Sequence, residues 1–178
     1  MRNLLVGDRI EINRIKDEDL NYIEYWLSSV DFLRKYDYIP AVPYSKKSLK
    51  DYIDYFESTN ERYIFAIRDK DNNNIIGVTG FDEIVWSSNT AVFFIGIGDK
   101  NYIGKGLGKE ALSLMLDFGF NELNFHRIQL NVISYNIPAI KLYESIGFIK
   151  EGVLREAVYR DFKWYDLYCY GILQKEWK

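Results

Sequence analysis

Apolar residues along this chain change their period several times, and those changes divide it into elements. Arg9-Ile10-Glu11-Ile12-Asn13 alternates polar and apolar, as a half-buried strand does. From Asp17 the apolar positions Leu20, Ile23 and Leu27 take helical spacing, with Asp17 as the expected N-cap and Glu18 and Asp19 in the first turn. A second helix, about 47–57, carries Leu49, Tyr52, Ile53 and Phe56 on one face behind a Ser45 cap. The aromatic and charged stretch between them, 28–44, holds no single period and is left unassigned.

From Arg62 the period becomes that of strands. Apolar runs at 63–67, 75–81 (continuing towards Ile84) and 91–97 are separated by polar turns at 69–74 and 87–89, which predicts three successive antiparallel strands. Leu107, Ala111, Leu114, Met115 and Phe118 then return to helical spacing, widened by Leu112 and Leu116. A strand at 126–132 follows, and Asn136-Ile137-Pro138 opens a last helix that Gly147 closes. Residues 148–160 and 164–173 read as two long strands around a turn at Asp161-Phe162-Lys163. Because a helix joins the strand at 91–97 to the one at 126–132, those two can lie parallel. The expected fold class is α/β (α+β), a single mixed, mostly antiparallel sheet of about seven strands flanked by helices, in one domain over 1–178.

Composition narrows the class without changing this picture. At 178 residues, 48% apolar and 17% aromatic, the chain can fill one core. A net charge of −3 gives no support to nucleic-acid binding, which leaves a basic excess. The single cysteine, Cys169, can form no internal disulfide, and the N-terminal residues turn polar too soon for a signal peptide. No apolar run approaches a membrane span, so a cytoplasmic protein is expected, without membrane or nucleic-acid partners.

Candidate chemistry concentrates in Ile97-Gly98-Asp99-Lys100-Asn101-Tyr102-Ile103-Gly104-Lys105-Gly106-Leu107-Gly108, between a strand and a helix. Such a junction aims backbone N–H groups at one point with the positive end of a helix dipole behind them, which favours an anion such as phosphate. It is not a P-loop: five residues, not four, separate Gly98 from Gly104, and Gly106 follows Lys105 where Ser or Thr is needed. Nor is it the dinucleotide fingerprint, whose third glycine would stand at Lys109.

Ile103-Gly104-Lys105-Gly106-Leu107-Gly108 after an apolar strand, followed by Asn136-Ile137-Pro138-Ala139-Ile140-Lys141-Leu142-Tyr143-Glu144-Ser145-Ile146-Gly147-Phe148 and then Glu151-Gly152 with a long hairpin, resembles the GNAT superfamily of N-acetyltransferases. The nearest branch holds the ribosomal-protein N-terminal acetyltransferases and spermidine acetyltransferases. The resemblance implies a central parallel strand pair splayed for acetyl-CoA, whose pantetheine pairs with Phe94, Ile95, Gly96, Ile97 and Gly98. It places the pyrophosphate on Ile103, Gly104, Lys105, Gly106, Leu107 and Gly108, and adds cofactor contacts at Asn136, Ala139 and Tyr143. Ile103 stands where the family pattern has Gln or Arg, so the grip there falls to the backbone. Val92 and Asn131 occupy positions where members carry a catalytic glutamate.

The implied activity is acetyl-CoA-dependent transfer to a primary amine, either a protein N-terminus or a small amine such as a polyamine, with no metal, by a monomer or homodimer. Tyr143 is the expected general acid for the departing thiolate, since a phenol is protonated at neutral pH. Glu83 is the first candidate base, ahead of Asp82, Asp99 and a water chain. His126 and Cys169 read as structural. Substrate choice is assigned to residues 17–57 and the hairpin at Asp161. Acidic Asp31, Asp37, Asp51, Asp54 and Glu57 there either receive a cationic amine or, as preferred, form a solvated face. The competing readings are a non-catalytic acyl-CoA-binding or regulatory module and, weakened by the P-loop failure, nucleotide hydrolysis.

Overall fold

In the computed structural model, which describes residues 3–178, seven strands form one sheet in the order β1-β2-β3-β4-β5-β7-β6. They are β1 (Ile10–Asn13), β2 (Tyr63–Asp69), β3 (Ile75–Val85), β4 (Thr90–Ile97), β5 (Arg127–Ile133), β6 (Ile149–Arg160) and β7 (Lys163–Leu173). Neighbouring strands are antiparallel except β4 and β5, which run parallel because α4 (Leu107–Asn121) carries the chain from one to the other. The expected mixed sheet and its parallel pair are borne out.

Helices cover both faces. On one side α4 and α5 (Ile137–Ile146) bury Leu112, Met115, Leu116 and Ile140 against Ile67, Ile76, Phe81 and Ile128. On the other, α1 (Leu20–Leu27) and α3 (Lys46–Glu57) bury Ile23, Trp26, Leu49 and Ile53 against Ala66, Ile75 and Val78. β3 therefore feeds Ile76 and Phe81 into one core and Ile75 and Val78 into the other. Its nearly continuous apolar run, interrupted by the buried Thr79, follows from being covered on both faces.

Two local expectations change. Asp17 does not cap α1; it begins a 3₁₀ turn, Asp17–Asp19, and Asp19 accepts the Lys16 N–H at 2.7 Å. Asp19 is drawn inward because its carboxylate pairs with Arg68, the two side chains being 3% and 2% exposed. The unassigned stretch holds a short helix, α2 (Val30–Tyr36), whose Ser29 cap accepts from Phe32 N–H. Ser45 caps α3 as expected, its hydroxyl accepting from Ser48 N–H at 3.1 Å.

The parallel pair does not stay paired. The β4–β5 ladder ends at Val92↔Gln129, although β4 continues to Ile97 and β5 to Ile133. Each strand instead follows its antiparallel neighbour: β4 stays with β3 as far as Gly77↔Ile97, and β5 with β7 as far as Ile133↔Leu167. A wedge-shaped gap opens between the two halves of the sheet. α2 and the loop after it bridge it. Asn136 Nδ2 donates to the Lys35 carbonyl (3.0 Å), Tyr135 donates to the Arg34 carbonyl, Arg34 pairs with Asp161 (2.7 Å), and Arg160 Nη2 donates to the Ile39 carbonyl (2.6 Å).

Candidate active site

The gap is the mouth of a cavity of about 870 Å³, within the range of sites that enclose a cofactor-sized ligand. β4 supplies one wall, and Phe94, Ile95, Gly96, Ile97 and Gly98 all line it. Two of these are glycine for want of room. A Cβ on Gly98 would lie 2.0 Å from the Trp26 ring, and one on Gly96 would lie 2.7 Å from Tyr36. Aromatic rings from α1 and α2 thus lie directly on the β4 backbone, and Phe32 stacks on Tyr36 at 5.2 Å.

The floor is the junction between β4 and α4. Asp99 caps a 3₁₀ turn, Lys100–Tyr102, by accepting from Asn101 N–H at 2.9 Å. Gly104 and Gly106 then turn the chain at φ +77° and +79°, a left-handed conformation that favours glycine. None of the N–H groups of residues 104–108 makes a hydrogen bond among the described residues. Those of Leu107 and Gly108 are unpaired donors that open α4, those of 104–106 belong to the turn that leads into it, and the helix dipole adds partial positive charge there. Ile103, Gly104, Gly106, Leu107 and Gly108 face the cavity. Lys105 is the one expected cofactor residue that does not; its ammonium lies over the Tyr102 ring, 5.6 Å from the centroid.

An anchor that the sequence reading missed holds this loop. Arg9 Nη1 donates to the Lys105 carbonyl (2.8 Å), and Arg9 Nε donates to Glu110 Oε2 (2.9 Å). Glu110 also accepts the Arg9 N–H at 2.8 Å. Burial pushes the Glu110 carboxyl up, but the Arg9 N–H and guanidinium outweigh it and hold it below its ordinary value of 4.5. A depressed carboxylate contributes stability that is present above that ordinary value and lost as pH falls through the lowered one. The urea midpoint of the wild type should therefore fall more steeply from pH 4.5 to 3 than that of Glu110→Gln. Parallel curves would remove this anchor from the account.

The opposite wall comes from the β5–α5 connection and α5. Asn136 caps α5, its Oδ1 accepting from Ala139 N–H at 3.4 Å, while its Nδ2 is the donor to Lys35 already described. Asn136, Ala139 and Tyr143 all line the cavity. Tyr143 is 7% exposed and packs on Phe148, and its hydroxyl has no hydrogen-bond partner among the described residues. Burial pushes its phenol well above the ordinary tyrosine range.

At the rim, Glu83 sits in a β-bulge at φ +47°, exposed and facing the cavity. Its neighbour Asp82 is held by Arg62 at 3.0 Å, and Arg62 in turn lies over the Tyr55 ring. Of the acidic residues expected as a solvated face, Asp51, Asp54 and Glu57 are exposed and away from the cavity. Asp31 and Asp37 instead line it. Asp37 is only part-exposed; it shares a small cavity with Tyr36, Tyr44 and Tyr52, and Arg160 of β6 bonds the carbonyls of the next two residues. His126 and Cys169 lie off the cavity.

Residues 9–149 match the family described as acetyltransferase (GNAT) domain. The chain belongs to this family. This GNAT acetyltransferase is 26% identical to the [ribosomal protein uS5]-alanine N-acetyltransferase of Escherichia coli over 97% of its own length and 92% of that protein. It is 34% identical to the spermidine N(1)-acetyltransferase of Vibrio cholerae over 64% of each chain. Its fold superposes on the crystal structure of spermidine N-acetyltransferase from Vibrio cholerae in complex with CoA and spermine with a TM-score of 0.87, at 27% identity over 96% of this chain and 98% of that one. The enzyme class expected from sequence is borne out, and N-acetyl transfer is its activity. Among the described residues no group of His, Cys, Asp or Glu is arranged to hold a metal, and no helix is long and apolar enough to cross a membrane.

Proposed function

We propose that acetyl-CoA lies in the wedge between β4 and β5, with its pyrophosphate on the amides of residues 104–108 and its thioester beside Phe94 to Gly96. The observation that carries this reading is the set of unpaired N–H groups at residues 104–108, all but Lys105 lining the same cavity as the stretch of β4 that has left β5. A pyrophosphate there accepts several charge-assisted hydrogen bonds without any side chain. β4 backbone donors polarise the thioester carbonyl and stabilise the oxyanion as the amine attacks. Tyr143 gives its proton to the leaving thiolate.

The acceptor is a small polycationic amine. Asp37, Asp82 and Glu83 give one end of the cavity negative charge, and the relatives named for spermidine support the same class. Release of free CoA thiol, followed with acetyl-CoA and a panel of amines, tests this. Turnover with spermidine should exceed that with a monoamine or an alanyl peptide by at least about tenfold, the equivalent of 1.4 kcal/mol in transition-state binding. Equal rates across the panel would discard the polyamine, and tight acetyl-CoA binding without turnover on any amine would discard transfer in this site.

A further inference from the structure

The reaction needs a neutral amine, and the chain lacks acid at both Val92 and Asn131. Four carboxylates line the cavity, and their partners separate them. Asp31 is paired with Lys35 at 3.0 Å, and Asp82 with Arg62 at 3.0 Å. Glu83 sits at the exposed rim. Asp37 is sheltered and forms no ion pair among the described residues. Its Oδ1 accepts the Tyr38 N–H at 2.6 Å and the Ile39 N–H at 3.4 Å, while its Oδ2 carries no hydrogen bond. We propose that Asp37 is the general base, its free oxygen taking a proton from the acceptor ammonium. This assignment rests on the acetyl-transfer reading above.

Position favours it. Asp37 directly follows Tyr36, whose ring lies against Gly96 and edge-on to Phe94, 6.3 Å between centroids, on the stretch of β4 assigned to the thioester. Room for one water lies beside it. A second cavity of about 20 Å³, enough for one water molecule, is lined by Asp37, Tyr36, Tyr44 and Tyr52 among others. The Tyr36 and Tyr52 hydroxyls bond each other there at 2.9 Å, which leaves one hydroxyl proton of the pair unused.

The charged surroundings suit a base. Burial pushes the Asp37 carboxyl up; the Ile39 and Tyr38 N–H groups and Arg160 on β6 lower it, Asp82 on β3 raises it, and the net shift is upward. Arg160 itself stays beyond ion-pair distance, bound to the Tyr38 and Ile39 carbonyls, with its buried Nε unpartnered. The facing groups Tyr36, Tyr38, Tyr44 and Tyr52 are phenols raised by burial and therefore neutral.

Asp37 removes one proton from R–NH₃⁺, and the amine forms the C–N bond to the thioester carbon. The tetrahedral intermediate expels the thiolate as the C–S bond breaks, and Tyr143 protonates the sulfur. The second proton lost by nitrogen restores that of Tyr143 through solvent, and the proton on Asp37 leaves to water in the large cavity that it lines.

Asp37→Asn keeps the Oδ1 acceptor for both backbone bonds, so the fold and the acetyl-CoA affinity should persist. With spermidine, kcat should fall at least about 10²-fold, the usual contribution of a positioned base. The acid limb of the wild-type pH profile should vanish in this variant, and Asp37→Glu should restore part of the rate and a displaced limb. A raised KM with unchanged kcat would overturn the assignment and make Asp37 a charge contact. Loss of the limb in Glu83→Gln but not in Asp37→Asn would overturn it in favour of Glu83. Wild-type CoA release in the same assay keeps the two readings distinguishable: failure of acetyl transfer shows in the wild type and overturns both, failure of the base assignment only in the variant.

Discussion

Tyr143→Phe should lower kcat by about 10² to 10³-fold while leaving the dissociation constant of acetyl-CoA within about twofold. A positioned general acid contributes on the order of 10² to 10⁴-fold. Phe fills the same buried space against Phe148, and no protein group loses a hydrogen bond, because the hydroxyl has none among the described residues. The substitution therefore removes the proton and little else. Burial raises the phenol above its ordinary 10, so it stays protonated across neutral pH, and the wild-type rate should show no tyrosine-dependent decline below pH 10. Steady-state kinetics with calorimetric acetyl-CoA titration measures both quantities. An unchanged kcat would take Tyr143 out of the chemistry and leave it a core residue.

The second large effect is on stability. Asp19→Ala should cost about 3–5 kcal/mol in urea unfolding, because it leaves the Arg68 guanidinium charged and buried without its counter-ion. Arg68 retains only the neutral acceptors Asn13 Oδ1 (2.7 Å) and the Asn73 carbonyl (3.4 Å). The pair joins the turn before α1 to β2, and α1 carries the Trp26 ring that lies on Gly98. Loosening it should also weaken acetyl-CoA binding. A paired Asp19→Ala/Arg68→Met variant, with no orphaned charge, should recover much of the loss. A cost below about 1 kcal/mol for the single variant would show that water reaches the guanidinium.

The sequence carried the β2-β3-β4 run, the parallel pair and the helices α4 and α5 because each is encoded locally, whereas the placing of β7 between β5 and β6 is not. β2, β3 and β4 are apolar runs punctuated by Asn-rich or Ser-rich turns, and α5 is bracketed by Asn136 and Gly147. What stayed hidden depends on partners far along the chain. Asp17 looked the better cap until Arg68, 49 residues beyond Asp19, drew Asp19 inward. α2 is seven residues long, too short for periodicity to register. Asp37 read as part of a solvated face because sequence does not show that its loop folds over Tyr52 of α3 and is held by Arg160 of β6. The family resemblance places Lys105 on the pyrophosphate, yet the turn at Gly104 and Gly106 leaves its side chain over Tyr102 and off the cavity.

The gap between β4 and β5 is the feature on which the whole account depends. Backbone ¹⁵N shifts followed during acetyl-CoA titration test it most directly. Saturable binding should move the amides of residues 104–108 and 94–98 most, with smaller changes in α3 and β1. Saturation with the largest changes elsewhere, or no binding at millimolar acetyl-CoA, would contradict it.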